Sequence, residues 1–207
     1  MEMEYVSKND LKPYKRDFND AMKVVKKSVN NESFYYRLIG SAKRNLVLRH
    51  HNKGFDLDYQ IIFYTSIMGR SSEDYKNLKR QFIDAFNKYF TTKGYEYAED
   101  SRSAITIKKL ENNVIHHGYD VTLISTEDDG LYILKYETEQ KEELSFKIMK
   151  NSKVYQSRYN EVKGTVMWND LREKYKFKKN NNTENKKSFS LLVEAIKEVL
   201  EKLDTVK

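Results

Sequence analysis

The chain has 207 residues, a formal net charge of +7 and no cysteine, so a disulfide scaffold, a thiolate zinc site and a cysteine nucleophile are excluded. This length fits one sizeable domain, or a core with a small appendage, and a globular chain of this size buries about 70% of its unfolded surface. No run approaches the roughly 20 apolar residues of a membrane span, and the N-terminus lacks the apolar core of a signal peptide, so we expect a cytoplasmic protein without a membrane partner.

The basic balance, with a pI near 9.2, favours polyanionic partners such as nucleic acid or nucleotides. Composition alone explains the charge equally well at this stage, because the chain is rich in Lys, Asn, Tyr and Ile.

The N-terminal half predicts helices and strands in alternation. Apolar residues at helical spacing predict a first helix over 14–29, and an aromatic, β-prone segment predicts a strand over 34–39. A short helix over 42–48 and the clearest strand of the chain, over 55–64, follow. A serine N-cap followed by acidic residues then predicts a helix over 71–94 that a glycine ends.

The C-terminal half predicts strands and then helices. Segments of β-type sequence cover 104–107, 119–124 and 131–134, with turns at Gly118 and at 128–130. Residues 144–149 fit either one more strand or the start of a helix.

The predicted order is an α+β fold, with a mixed β-sheet flanked by helices and a short C-terminal helical part. We place a sheet-containing core over 1–150 and a helical segment over 151–207. The second segment contains a low-complexity polar stretch over 178–187 that we expect to be a mobile loop, before a last helix that Ser188 caps.

The most informative motif is Asp56-Leu57-Asp58, which lies inside the clearest predicted strand. Side chains alternate along a strand, so Asp56 and Asp58 point to one face while Leu57 points into the core. Two neighbouring like charges in an apolar segment are costly unless a cation holds them together. Carboxylate oxygens are the ligands that Mg²⁺ prefers, and bound Mg²⁺ commonly shares its shell with substrate phosphates, so the motif indicates phosphoryl or nucleotidyl chemistry.

Asp120 is the third carboxylate candidate. It stands at the start of an apolar strand and comes to lie beside Asp56 and Asp58 if the two strands are neighbours. As an isolated residue after Gly118, it fits a turn equally well.

Gly40-Ser41 follows the first predicted strand and has the character of a phosphate-binding turn. Gly40 permits a sharp turn and a close approach to a ligand. Ser41 then opens a helix whose N–H groups favour a phosphate, and Lys43, Arg44 and Asn45 lie on or near that turn.

Taken together, these motifs resemble the DNA polymerase β-like nucleotidyltransferase superfamily. Its pattern is a strand ending in Gly-Ser, a short helix, Asp-x-Asp on the next strand and a third Asp on a later strand. The matching segments here are Leu38–Ser41, Phe55–Tyr59 and Tyr119–Thr122. The run from Gly40 to Asn45 looks most like the branch of oligoadenylate synthetases and bacterial cGAS/DncV-like proteins, and the resemblance covers roughly residues 22–134.

The resemblance implies a metal-dependent nucleotidyltransferase with its catalytic core over 1–150. Such an enzyme moves a nucleoside monophosphate from a nucleoside triphosphate (NTP) to a hydroxyl and releases pyrophosphate. Asp56 and Asp58 would bind two Mg²⁺ or Mn²⁺ ions, and Asp120 would share one ion and act as general base. Gly40 and Ser41, with the basic residues that follow, would hold phosphates.

Several alternatives stay open. We rank a nucleotide or short oligonucleotide as the first candidate acceptor, RNA as the second, and a protein side chain or small molecule as the third. The sequence leaves the oligomeric state undetermined. A non-catalytic nucleotide- or RNA-binding module that retains the fold is the rival function. For the Asp pair itself, the rival is a solvated edge strand, although the apolar run over 61–63 argues against an edge.

Two adjacent histidine pairs invite a zinc hypothesis, His50-His51 and His116-His117. Neighbouring residues of a strand face opposite ways, and no third ligand is suitably spaced, so we predict solvated loop positions for both pairs.

Overall fold

A computed structural model describes residues 2–49, 54–149 and 153–204. The chain forms two compact units, one of residues 5–149 and one of residues 1–4 together with 150–207. The larger unit contains a mixed β-sheet with helices and the smaller one is mainly helical, which confirms the predicted α+β class. Within the described residues, no helix combines the length and apolarity needed to cross a membrane.

The elements alternate along the larger unit and are helical in the smaller one. The strands are β1 (Glu4–Tyr5), β2 (Phe34–Leu38), β3 (Leu48–Arg49), β4 (Asp56–Phe63), β5 (Glu99–Asp100), β6 (Ile105–Glu111), β7 (Val114–Glu127), β8 (Gly130–Tyr136) and β9 (Leu144–Ile148). The helices are α1 (Lys12–Ser28), α2 (Gly40–Arg44), α3 (Ser72–Phe90), α4 (Lys153–Val162), α5 (Met167–Asn180) and α6 (Ser188–Asp204).

The main sheet has seven strands. Its order is β2-β4-β7-β6-β5, and β8 pairs with β7 and with β9. The β4–β7 pair is parallel and the other pairs are antiparallel. A parallel pair requires a crossover connection, and the chain between β4 and β7 supplies one that contains α3.

The core lies on the face of the sheet that α1 and α3 cover. Phe18 of α1 is fully buried, and its ring stacks on Tyr59 of β4 with the ring centroids 3.6 Å apart. Leu57 of β4 and Tyr119 and Val121 of β7 are also fully buried. Because strand side chains alternate, the intervening residues of β4 and β7 are directed to the opposite face, where the polar residues lie.

Most predicted elements occur, with shifted ends. The helix predicted over 42–48 is shorter, because Asn45 adopts a left-handed conformation at φ 58° and ends α2. Residues 144–149, which were ambiguous, contain strand β9. The polar loop predicted over 178–187 begins later, because α5 continues to Asn180.

The prediction that Gly118 marks a turn is wrong. Strand β7 begins four residues earlier, and its hairpin with β6 turns at Asn112 and Asn113, between the paired residues Glu111 and Val114. Both asparagines have positive φ, 52° and 61°, which is the type I′ geometry that suits the twist of a two-residue hairpin. Asp120 is therefore an interior residue of a long strand and not its first residue.

The predicted loop position of His116 and His117 is also wrong, because both lie in β7. His117 is 2% exposed, and its Nε2 lies 2.6 Å from the Tyr95 hydroxyl. Burial, chiefly, lowers the pKa of His117 to about 3, so its imidazole is neutral at physiological pH. The pair His50-His51 lies outside the described residues.

The Asn112-Asn113 turn gives a test of the hairpin. Asn113→Gly removes the cost of a left-handed side-chain residue and should raise the free energy of unfolding by about 0.5 kcal/mol. Asn113→Val should lower it by about 1–2 kcal/mol, because a β-branched residue is strained at positive φ. Urea denaturation measures both changes, and a valine variant as stable as wild type would contradict the turn.

Candidate active site

Three carboxylates lie together on the face of the sheet opposite the core. Asp58 of β4 is directly opposite Asp120 of β7 in the parallel register, and Asp56 precedes Asp58 by two residues. Neighbouring strands lie roughly 4.8 Å apart, so the two opposed carboxylates are side by side. The sequence placed Asp120 beside Asp56 and Asp58 only if their two strands are neighbours. Strands β4 and β7 are neighbours, and all three acids share one face of the sheet.

The pKa of Asp58 is raised by its surroundings. Burial raises its pKa, and the negative charges of Asp120 and Asp56 raise it further, to about 6, while the positive charge of Arg44 acts in the opposite direction. Like charges at this distance disfavour simultaneous ionisation.

Gly40 packs directly against Asp58. It has a φ of +63°, and a Cβ built on it would lie 1.9 Å from the Asp58 Oδ2 atom. The backbone N–H of Ile39 also donates to the Asp58 carbonyl at 2.9 Å. Any side chain at position 40 would therefore collide with the carboxylate, and only glycine satisfies both the left-handed backbone and the close approach.

Of the other predicted phosphate-binding residues, Ser41, Lys43 and Arg44 lie on α2, a helix of five residues, and Asn45 caps its C-terminus. Arg44 is half-buried and its guanidinium donates to the Gly40 carbonyl at 2.9 Å, which keeps it beside the carboxylates. The Ser41 carbonyl accepts a hydrogen bond from the backbone N–H of Asn45, so this carbonyl is already paired within the turn. The side chain of Lys43 is exposed.

Gly118 is a site residue that the sequence analysis interpreted differently. It is opposite Asp56 in the register, and a Cβ built on it would lie 2.5 Å from the Asp56 Oδ1 atom and 3.0 Å from the Ile107 carbonyl oxygen. The missing side chain makes room for the Asp56 carboxylate. Gly118 lies two residues before Asp120 and therefore on the same face of the strand, and this spacing could have identified it from the sequence.

Thr106 of β6 is the second site residue that was missed. It is paired with Asp120 in the register, and its hydroxyl donates to the Asp120 Oδ1 atom at 2.6 Å. Thr106 lies between Ile105 and Ile107, both fully buried, so the alternation of the strand already directs it to the carboxylate face.

The three carboxylates have the chemistry of divalent-cation ligands, although not the spacing of an assembled metal site. Among the residues that the structure describes, no group of three or more His, Asp or Glu side chains already has the spacing of a metal site. Three carboxylates on one face nevertheless supply the type of oxygen ligand that Mg²⁺ prefers.

Sequence comparisons find nothing: no family model and no curated protein matches the chain. Structural comparison finds DncV of Vibrio cholerae. Its apo form is 15% identical with a TM-score of 0.58, and the match covers 88% of this chain and 52% of that chain. Its form bound to 3′-deoxy ATP is 15% identical with a TM-score of 0.57 and the same coverage of both chains.

A third DncV structure, described as a cyclic AMP-GMP synthase in complex with the linear intermediate 5′ pppA(3′,5′)pG, gives a TM-score of 0.61 at 13% identity. That match covers 95% of this chain and 69% of that chain. The chain thus spans about half the length of DncV in the first two comparisons. At these identities the likeness concerns the fold alone, and this chain shares the nucleotidyltransferase fold of DncV.

Proposed function

We propose that the protein is a metal-dependent nucleotidyltransferase that moves a nucleoside monophosphate from an NTP to a hydroxyl acceptor. One observation carries the proposal: Asp58 and Asp120 are opposed on adjacent parallel strands, with Asp56 on the same face. A structural role does not account for three carboxylates clustered at the cost of a raised pKa.

The residues divide the work as follows. Asp56 and Asp58 would hold two Mg²⁺ or Mn²⁺ ions, and Asp120 would share one of them. Such a pair of ions stabilises the attacking and leaving oxygens of an in-line displacement. Asp120 would also accept the proton of the acceptor hydroxyl, whose oxygen attacks the α-phosphorus. The bond from that phosphorus to the β-phosphate oxygen breaks, and pyrophosphate leaves.

The turn at Gly40-Ser41 would receive the β- and γ-phosphates. Gly40 is in contact with Asp58, so a phosphate bound at the turn lies next to the carboxylates. Arg44 places a positive charge close enough to lower the pKa of Asp58, and the same charge would attract the polyphosphate.

The acceptor follows from the neighbours only by analogy. DncV structures are described with bound 3′-deoxy ATP and with a linear dinucleotide intermediate, which supports NTP binding and a nucleotide as the first acceptor to test. The net charge of +7 is compatible with RNA as the second.

The first test follows α-labelled NTPs with Mg²⁺ or Mn²⁺, with and without RNA. Wild type should transfer label into a metal-dependent product whose size identifies the acceptor class. Asp56→Asn and Asp58→Asn should each reduce transfer by more than about 100-fold, the upper end of what loss of a supporting contact costs a metal site. Asp84→Asn, an exposed change on α3, is the matched control and should leave transfer intact.

Two outcomes would contradict the proposal. Retained transfer in the Asp58 variant would end the mechanism given above. Metal-independent NTP binding without transfer under any condition would favour a nucleotide- or RNA-binding module with the same fold.

The raised pKa of Asp58 predicts a dependence of stability on pH in the metal-free protein. Its pKa is about 6 in the folded state against 3.8 as its ordinary value, so the folded state binds the extra proton between these values. Stability therefore falls as pH rises from about 4 to about 6 and stays lower above that range. At about pH 7.5 in chelator, Asp58→Asn should be about 1–3 kcal/mol more stable than wild type, and the difference should shrink towards pH 4.

Thermal unfolding across this pH range measures the difference, with Asp84→Asn again as control. Added Mg²⁺ should stabilise wild type and leave Asp58→Asn little changed. An Asp58→Asn variant that gains no stability near pH 7.5 would refute the electrostatic strain.

Gly118→Ala tests the space beside Asp56. The φ of Gly118 is outside the positive region, so the substitution introduces a methyl group without backbone strain. The methyl group should displace the Asp56 carboxylate and weaken Mn²⁺ binding by about 10-fold or more while the fold remains. Calorimetric Mn²⁺ titration measures the loss, and Asp84→Asn, an exposed change on α3, is again the comparison. Unchanged Mn²⁺ affinity would show that Asp56 does not hold the ion.

A further inference from the structure

The hydroxyl of Thr106 on β6 donates a hydrogen bond to the Asp120 carboxylate. The 2.6 Å separation of Thr106 Oγ1 and Asp120 Oδ1 is at the short end for a hydroxyl and a carboxylate, as expected when the acceptor is charged. The two residues are cross-strand partners in an antiparallel pair, so the backbone of the sheet determines their spacing.

A second hydroxyl orients the first one. Ser101 Oγ lies 3.0 Å from Thr106 Oγ1. Thr106 has a single hydroxyl proton and donates it to Asp120, so the proton between the two hydroxyls belongs to Ser101. Ser101 therefore donates to Thr106, and Thr106 donates to Asp120. Two hydrogen bonds that run in the same direction polarise and strengthen each other.

The outer end of this chain is held by a buried lysine. Lys79 of α3 is 2% exposed, and its ammonium group donates to the Ser101 carbonyl at 2.6 Å. The same group forms an ion pair with Asp100 at 2.6 Å. Asp100 in turn accepts a hydrogen bond from the Tyr136 hydroxyl at 2.7 Å, so β5, β8 and α3 all hold the segment that carries Ser101.

The hydrogen bond engages Oδ1 of Asp120 and leaves Oδ2 outside it. A carboxylate with one oxygen held by the protein can rotate less about its last bond, so its second oxygen has a defined direction. Acidic ligands of metal ions are commonly held by such supporting hydrogen bonds, and removal of the support typically costs 10- to 100-fold in metal affinity or activity.

We propose that Thr106 is a positioning residue, whose hydroxyl, itself oriented by Ser101, sets the direction in which Asp120 meets a divalent cation. The inference rests on the proposed function for the metal, and it concerns a residue outside the three carboxylates and the Gly40-Ser41 turn. Thr106 acts through Asp120 and does not itself contact substrate.

The test compares Thr106→Val and Thr106→Ser with wild type, using Mn²⁺ as the probe and electron paramagnetic resonance to count free ion. Valine keeps the size of the side chain and removes the hydroxyl, whereas serine keeps the hydroxyl and removes the methyl group. Thr106→Val should weaken Mn²⁺ binding by 10- to 100-fold. Thr106→Ser should bind Mn²⁺ as wild type does, and Ser101→Ala should lose less affinity than Thr106→Val.

Thr122→Val is the matched control. Thr122 lies on the same face of β7, two residues beyond Asp120, but its hydroxyl donates to the Tyr59 carbonyl at 3.3 Å and not to a carboxylate. This variant loses a threonine hydroxyl from the same face, so it should leave Mn²⁺ affinity unchanged. Thermal unfolding of all variants separates a loss of metal affinity from a loss of folding.

Transfer kinetics give a second readout. If Thr106 positions Asp120 for the ion, saturating Mn²⁺ should restore much of the transfer that Thr106→Val loses at low Mn²⁺, whereas a general structural defect would not respond to the ion. Equal Mn²⁺ affinity in Thr106→Val and wild type would overturn the inference. An equal loss in Thr106→Ser and Thr106→Val would overturn it as well, because the methyl group and not the hydroxyl would then matter.

The outcomes also separate the inference from the proposed function. Wild type that binds Mn²⁺ but transfers no label would refute the proposed function, while the ranking of the variants in Mn²⁺ affinity would still decide the role of Thr106. Wild type that binds no Mn²⁺ would refute both.

Discussion

The repulsion between Asp58 and Asp120 is the main constraint on the face of the sheet opposite the core. Two carboxylates are opposed on neighbouring strands and a third lies two residues away. Such a cluster is unfavourable without a cation: burial raises the pKa of Asp58, and the charges of Asp120 and Asp56 raise it further. The charge of Arg44 lowers the pKa of Asp58, and the hydroxyl of Thr106 donates to Asp120. A bound cation would reduce this repulsion, and the proposed polyphosphate would meet the carboxylates only through such a cation.

Burial of the apolar face of the same strands compensates the electrostatic cost of this cluster. Leu57, Tyr59, Tyr119 and Val121 alternate with the acids, and all four are buried against the helices of the larger unit. Each fully buried side chain of this kind contributes about 1.5–3 kcal/mol, so the packing on one face outweighs the electrostatic strain on the other. The register that packing imposes is also the register that opposes Asp58 and Asp120, since a slip of one residue would direct the acids into the core.

Two glycines allow the backbone to lie directly against the carboxylates. Gly40 lets the end of β2 press on Asp58, and Gly118 leaves the space that Asp56 occupies. The DncV structures share this fold but are longer in the matched forms, with 52% of their chain covered. The geometry thus bears on the proposed metal and triphosphate sites more directly than on the proposed acceptor.

The sequence by itself determined the strand character of β4, the shared face of Asp56 and Asp58 and the Gly40-Ser41 turn, because these depend on local alternation and on the conformational freedom of glycine. It predicted the α+β class for the same reason. Only the tertiary structure decided that Asp120 opposes Asp58, that Gly118 is a space and not a turn, and that Thr106 holds Asp120. It likewise replaced the expected loop at His117 with a buried strand position. Those features depend on which strands become neighbours and in what register, and that is set by packing between residues distant in the chain.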